Sequence, residues 1–314
     1  MSGHLEVIVR RTEKLSGDVH TFELVAADGG QLPPFEAGAH IELFIRSNLI
    51  RPYSLCNDPE ETHRYRIGVL NDANSRGGSK IVCTQWAEGM RARISSPRNL
   101  FPLEPATGRS LLIAGGIGAT PLIAMAHALG SRGAPFEFHY CARDRSKAPF
   151  LEELLAGSLA PSVQAHFSED RRFDFTADIG APTGDDHIYV CGPQGFMDHV
   201  IEAARGLGWP DARIHFEYFD AETDTSGGPF KVQLADGTEF EIPAGRSIAD
   251  VLIEQGCEVE VSCEKGICGS CITDILEGLP DHRDHYLTDE EKAQNNCMAL
   301  CCSRALSPLI KLDL

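Results

Sequence analysis

The sequence predicts a multi-domain chain: an antiparallel β-barrel, then an α/β domain built on a parallel sheet, then a small β-rich domain. Three observations predict it. A length of 314 residues suits two or three domains of roughly 100–200 residues each. The local pattern changes twice, from short alternating strands to apolar strands separated by helical stretches, and again after a polar, glycine-ended run. Seven of the eleven cysteines lie between Cys257 and Cys302, which marks the carboxyl end as a place for metal.

In residues 1–102 the runs 20–25, 40–45, 64–69 and 90–94 alternate apolar and polar side chains, with Gly, Pro and Asn between them; this reads as a closed antiparallel barrel. From Ser110 the order becomes buried strand, glycine turn, helix, strand. Ser110–Ala114 is the first strand and Gly115-Gly-Ile-Gly118 the turn, with Thr120 expected as N-cap and Pro121 at the first helical position. Further strands at 136–141, 163–167 and 187–191 complete a parallel sheet over residues 103–221. Residues 222–228 are a polar linker. In 229–314, Asp236-Gly237 joins two short strands as a hairpin, and Ser247-x-x-Asp250 opens a helix as a capping box.

Composition narrows the function classes. Lys and Arg number 28 against 46 Asp and Glu, a net charge of −18, which argues against nucleic acid and against anionic membrane surfaces as partners. From Gly227 onward there are 16 acids and 7 bases, so that segment has an acidic surface able to steer a basic protein partner or simply to keep the chain soluble. No apolar run approaches the ~20 residues of a membrane span. The amino terminus MSGHLEVIVRRTEKL has no apolar h-region, and the expected location is the cytoplasm.

The strongest signal is Cys263-x4-Cys268-x2-Cys271, then 29 residues, then Cys301. This is plant-type [2Fe–2S] spacing: thiolates are the ligands, three wrap one loop and the fourth arrives from elsewhere. Gly266 and Gly269 suit backbone approach to the sulfurs. Zinc is usually held by paired knuckles rather than by a triplet and a lone distant Cys. Cys301 and Cys302 both satisfy the spacing. Cys257, Cys297 and Cys302 are expected as small buried side chains, and His282 and His285 as solvated loop residues.

Residues 227–314 resemble a plant-type ferredoxin domain, a β-grasp α+β fold. The runs 262–271, Pro280-Asp-His-Arg-Asp284 and Met298-Ala-Leu-Cys-Cys-Ser-Arg304 resemble the carboxyl end of the phthalate dioxygenase reductase family, a branch of the ferredoxin–NADP reductase superfamily. The family pattern selects Cys301 as the fourth ligand. In Arg51-Pro-Tyr-Ser54 a cation suits a flavin phosphate, an aromatic ring can pack on the isoalloxazine, and a hydroxyl can reach its N5. In Arg76-Gly-Gly-Ser79 glycines and a hydroxyl precede an apolar helix that could bind phosphate.

The resemblance extends over the whole chain and implies FMN, with FAD as the alternative. It implies flavin contacts at Arg51, Pro52, Tyr53 and Ser54 and phosphate contacts at Gly77, Gly78 and Ser79. Pro52 stands where Thr or Val is more frequent in the family, which leaves one backbone contact open.

The run 115–121 is not the G-x-G-x-x-G fingerprint but shares its strand–turn–helix setting, where amides and a helix N-terminus receive a pyrophosphate. By resemblance Gly116, Gly118, Thr120 and Pro121 belong to the nicotinamide-nucleotide loop. Cys191, Gly192 and Pro193 match the superfamily's C-G-P motif, whose thiol aids hydride positioning. Glu217 corresponds to an acid near the flavin and Phe219 to an aromatic cover. Arg143-Asp144-Arg145 is ambiguous between the two nicotinamide cofactors, and the branch implies NADH.

The implied function is an NADH-dependent reductase. Hydride passes to a flavin beside Ser54, Cys191 and Glu217, and single electrons leave through the four-cysteine cluster. The implied acceptor is a terminal oxygenase, a Rieske-type aromatic dioxygenase or O-demethylase. A cytochrome P450 partner and a non-catalytic redox sensor are the alternatives.

Overall fold

A computed structural model of the protein describes residues 4–46, 49–73, 75, 77–220 and 223–314. Arg76 and positions 221–222 lie outside them. Two compact units divide at Phe219 and Asp220.

The first unit begins with six strands, β1 (Leu5–Lys14), β2 (Val19–Ala26), β3 (His40–Arg46), β4 (Leu49–Ser54), β5 (Tyr65–Leu70) and β6 (Arg91–Ile94), with helix α1 (Gly78–Gln85) before the last. Alternation drives them: Val7 and Val9, then Tyr65, Ile67 and Val69, face inward and are fully buried. The strands pair in the order β4-β3-β6-β1-β2-β5. An antiparallel bridge from Leu55 to Ile67 brings the outer strands together, so the sheet is a nearly closed antiparallel barrel.

The same unit continues with β7 (Ser110–Gly115), α2 (Ala119–Arg132), β8 (Phe136–Ala142), α3 (Leu151–Ala156), β9 (Val163–Phe167), α4 (Phe175–Asp178), β10 (His187–Cys191), α5 (Gln194–Gly206) and β11 (Ile214–Glu217). The sheet order is β11-β10-β7-β8-β9, and every pairing is parallel. Strands β7 and β10 are buried along their whole length, as expected where helices cover both faces. The winding reverses between β7 and β10, which makes their carboxyl ends a topological switch point. One face of the sheet, with Leu112, Ala114, Leu122 and Met125, shares a core with Val7, Phe22 and Ile41 of the barrel. The other face packs Ile113 and Val190 against Met197 and Val200 of α5.

The start of α2 differs from the sequence expectation. A 3-10 turn at Gly116–Gly118 runs directly into the helix, whose N-cap is Gly118 with no side-chain cap. Thr120 is already inside the first turn, and its hydroxyl donates to the Ile117 carbonyl at 3.1 Å. The cause is steric: a Cβ on Gly118 would stand 2.2 Å from the Cys191 carbonyl oxygen, so the bare backbone presses into the neighbouring turn and the helix starts early. Pro121 remains in the first turn, where a missing N–H costs no helical bond.

The second unit contains β12 (Phe230–Gln233), β13 (Glu239–Ile242), α6 (Ile248–Glu254), β14 (Ile272–Glu277), β15 (Pro280–Asp281), α7 (Asp289–Gln294), β16 (Cys297–Ala299), β17 (Arg304–Ala305) and β18 (Leu309–Leu312). Its main sheet runs β13-β12-β18-β14-β16, and α6 lays Ile248, Val251 and Leu252 on Val232, Ile310 and Leu312; this is the expected β-grasp. Gly237, at φ +92°, closes the hairpin by donating its N–H to Leu234. The Ser247 hydroxyl caps α6 by accepting from the Asp250 N–H at 3.1 Å. The described part of the expected linker is fastened to this unit: Arg283 Nη1 donates to the carbonyls of Asp224 and Ser226 at 2.7 and 2.8 Å.

Replacing Gly118 by Ala should force the two turns apart and destabilise the first unit by about 1–3 kcal/mol. Both tryptophans, Trp86 and Trp209, lie in that unit, so urea unfolding followed by tryptophan fluorescence reads it directly. An unchanged midpoint would contradict the steric account.

Candidate functional site

The register places the ends of three strands side by side. Cys191 is opposite Ala114 on β7 and Glu217 on β11. Glycines make the turns between them close-fitting: a Cβ on Gly192 would lie 2.9 Å from the Gly115 Cα, and one on Gly115 would lie 2.9 Å from Pro193. Gly116, at φ +56°, occupies the left-handed region. Its carbonyl accepts from the Tyr140 hydroxyl at 2.9 Å, a brace that sequence reasoning missed. A tyrosine within an otherwise buried strand was the signal available for it.

Glu217 reaches the barrel. The Ser54 hydroxyl donates to its Oε2 at 3.4 Å, which joins the end of β4 to the end of β11. Glu217 is half-buried as a residue, yet burial of its carboxyl pushes the pKa from the ordinary 4.5 up to about 8, against the lowering effect of the Ser54 bond. Cys191 is fully buried. Burial first, and the Glu217 charge second, hold its thiol well above the usual range, so it is a protonated thiol and not a nucleophile. Phe219 ends the unit as an exposed residue.

A second cluster surrounds the start of α1. Gly77, at φ +103°, is its N-cap, and a Cβ on Gly78 would meet the Arg51 side chain at 2.9 Å. The Ser79 Oγ is buried with no hydrogen-bond partner. A cationic side chain, the orphan amides of a helix N-terminus and an unpaired hydroxyl form a donor set that fits a phosphate. Tyr53 packs half-buried on the barrel core, and burial keeps its hydroxyl protonated by raising its pKa. Pro52 sits opposite Glu42 in the strand pairing.

In the second unit Cys263, Cys268, Cys271 and Cys301 are each 5–6% exposed. Backbone amides point at their sulfurs: Lys265 N–H at Cys263 Sγ, 3.3 Å; Cys263 N–H at Cys268 Sγ, 3.5 Å; and Gly266 N–H at Cys301 Sγ, 3.2 Å. Amides of Cys301 and Leu300 serve Cys271. Ser270 Oγ lies 3.4 Å from Cys268 Sγ. Among the described residues no set of three or more His, Cys, Asp or Glu is arranged to hold one metal ion; a two-iron core, with two thiolates on each iron, makes no such demand. Four buried thiols ringed by amide donors fit such a core.

Cys302, buried behind the loop, crowds Gly266, where a Cβ would lie 2.5 Å from its Sγ. His285 is exposed as expected. His282 is not a solvated loop residue: its side chain is 10% exposed and both ring nitrogens are buried without hydrogen-bond partners. The β15–β17 ladder holds this segment against the domain, a pairing the local sequence pattern did not signal.

The family model described as a 2Fe-2S iron-sulfur cluster binding domain matches residues 233–306. The chain is 47% identical over 316 residues to the vanillate O-demethylase oxidoreductase of Pseudomonas sp. (strain HR199 / DSM 7063), covering 99% of this chain and 100% of that protein. It is similar to the solved structure of phthalate dioxygenase reductase, described as a modular structure for electron transfer from pyridine nucleotides to [2Fe–2S]: TM-score 0.80, 40% identity, 99% of this chain and 98% of that one. It is also similar to an intact type IV self-sufficient cytochrome P450 monooxygenase, at TM-score 0.84 and 34% identity over 99% of this chain and 41% of that one. Among the described residues no helix is long and apolar enough to cross a membrane.

The Glu217 carboxyl gives a pH prediction. Its folded pKa of about 8 lies above its ordinary 4.5, so the folded state holds the extra proton between these values and stability falls as pH rises through the window. Glu217→Gln should flatten this fall, gaining up to a few kcal/mol over the wild type between about pH 5 and pH 8. Urea unfolding across that range checks it, and parallel profiles for the two proteins would count against the buried carboxyl.

Proposed function

The chain belongs to the phthalate dioxygenase reductase family, and from that premise we propose an NADH-dependent reductase that carries FMN and a [2Fe–2S] cluster and serves the oxygenase component of a Rieske-type aromatic dioxygenase or O-demethylase. Membership makes it an electron-transfer oxidoreductase, a reductase component with an iron–sulfur domain. The observation that carries the rest is the buried four-cysteine loop with amides aimed at its sulfurs, in one chain with a barrel and a doubly wound sheet.

We assign residues 1–102 to flavin, 103–221 to nucleotide and 229–314 to the cluster. Arg51, the amides at Gly77 and Gly78, and the Ser79 hydroxyl hold the flavin phosphate. Tyr53 offers its ring to the isoalloxazine, and Pro52 leaves one backbone contact unmade, since it has no N–H. Gly116, Gly118, Thr120 and Pro121 form the turn and first helical residues that receive the nucleotide pyrophosphate. Cys191, with Gly192 and Pro193, lines the nicotinamide as an uncharged, unreactive surface. Ser54 turns its hydroxyl with Glu217 as partner, and Phe219 covers the ring.

For the choice of nucleotide, Asp144 lies just beyond β8 and accepts the Ser146 N–H at 2.7 Å, while Arg145 is engaged by Glu152 at 2.6 Å. A carboxylate there disfavours a 2′-phosphate, which supports NADH. When bound, FMN supplies acceptance of a hydride and release of electrons one at a time to the iron–sulfur core.

A P450 partner is the second reading, favoured by the likeness to the self-sufficient monooxygenase. Pairing the purified protein with each oxygenase type and following NADH-dependent product formation separates the two. A redox sensor would show negligible turnover with ferricyanide or cytochrome c.

Anaerobic addition of NADH should bleach the flavin and cluster bands together; a preparation with cluster bands and no flavin would sink the reductase reading. Cys263→Ser should abolish cytochrome c reduction while stopped-flow reduction of the flavin by NADH proceeds at the wild-type rate. Ser79→Ala should weaken FMN binding about tenfold, the worth of one hydrogen bond to a charged group, as read by flavin fluorescence titration. Equal affinity would remove Ser79 from the phosphate site.

A further inference from the structure

The run Pro280-Asp-His-Arg-Asp284 has no role in the electron path described above, yet it closes over the cysteine loop. Asp284 is buried, and its carboxylate accepts the Leu287 N–H at 2.7 Å, the Tyr286 N–H at 3.2 Å and the Ser303 hydroxyl at 3.5 Å. These donors fold residues 284–287 into a turn that meets the loop at two glycines. A Cβ on Gly266 would lie 3.1 Å from the Asp284 Cα, and one on Gly269 would lie 2.3 Å from the Tyr286 ring. The His285 N–H donates to the Gly266 carbonyl at 2.9 Å, and the Gly266 N–H points at Cys301 Sγ. One residue thus separates the Asp284 backbone from a ligand sulfur.

We propose that Asp284 is a positioning residue of the iron–sulfur centre: its buried carboxylate clamps the ligand loop and sets a negative charge beside it that keeps the cluster's reduction potential low. The proposal rests on the reading of Cys263, Cys268, Cys271 and Cys301 as ligands. Reduction adds an electron to an already anionic core, so a nearby negative charge opposes it, and it does so more strongly where water is excluded. The groups that donate to the carboxylate, two backbone amides and a hydroxyl, are themselves neutral. Two neighbouring cations are paired with other carboxylates, Arg283 with Asp281 and Lys265 with Asp220; Lys292 reaches Asp284 at its main-chain carbonyl, not at the carboxylate. The His282 Nδ1 stands 3.8 Å from the carboxylate.

The test is an anaerobic spectroelectrochemical titration of the holoprotein, wild type against Asp284→Asn, with iron and sulfide content measured and the flavin couple as an internal reference. Asp284→Asn keeps an acceptor oxygen for the turn but removes the charge. The expected result is a cluster that assembles and titrates at a more positive potential, with the flavin couple unmoved. An assembled cluster at the wild-type potential overturns the proposal, because a merely structural aspartate would change cluster content and not potential. Should Asp284→Asn assemble no cluster, Asp284→Glu decides: recovery of the cluster at a low potential supports the proposal, and equal loss overturns it. Wild-type protein without cluster bands would overturn the ligand reading itself, an outcome distinct from an unchanged potential in the variant.

Discussion

The close approach of two turns, Gly118 against the Cys191 carbonyl, is the constraint from which the first unit's site follows. A side chain at Gly118 has no room, so the turn after β7 and the turn after β10 meet backbone to backbone at the point where the sheet reverses its winding. That contact brings the start of α2, with its unpaired amides, alongside the Cys191–Pro193 turn. The parallel register then carries Glu217 to the next position. Because the sheet and the barrel share one core, Ser54 at the end of β4 meets Glu217 at the end of β11, a hydrogen bond between residues 163 apart in sequence.

The second unit solves a related problem in the opposite sense. Its loop brings backbone toward sulfur, where the first unit brings backbone toward backbone. Gly266 and Gly269 both occupy the left-handed region, at φ +70° and +75°, and both are flanked so closely that a side chain would clash. Without these two residues the amides of the loop could not turn inward. The strands and α6 behind the loop are ordinary β-grasp packing, and their contribution is rigidity.

Much of this architecture was legible because it depends on period and spacing. The parallel strands read as unbroken apolar runs since both faces are covered, and the cysteine spacing marks the loop in which buried thiols meet backbone amides. Strand β1 lacks a clear alternation because Val7, Ile8 and Val9 are consecutive apolar residues and are followed by a mostly charged run. The fullest capping box, Thr288 with Glu291, also went unread, since the helix it opens, Asp289–Gln294, has no apolar face to announce it. Ser247 contributes only half of the box expected there. The capping residue of α2, the unpaired Ser79 hydroxyl and the burial of His282 were not legible. Each is decided by what a distant strand or turn places next to it, which single-sequence patterning does not contain.

The cysteines show how far environment outweighs residue type. Burial alone pushes Cys83 up to about 11, and burial is the largest effect in taking Cys56 to about 12. Burial likewise holds Cys191 well above the usual range. Such thiols stay protonated and behave as small apolar side chains. The four loop cysteines are equally hidden from water, so burial cannot be what distinguishes them. The difference lies in hydrogen bonding. The Cys263 thiol is pulled down first by its bond to Cys268 and then by Cys301, with backbone amides adding to the effect. Cys271 is lowered first by Cys301, while Cys268 and Cys301 are raised in exchange. A metal core takes thiolates, so its assembly would release the protons that these sulfurs hold. The backbone amides aimed at these sulfurs are donors that thiolates need, and they are what sets this loop apart from the other buried cysteines.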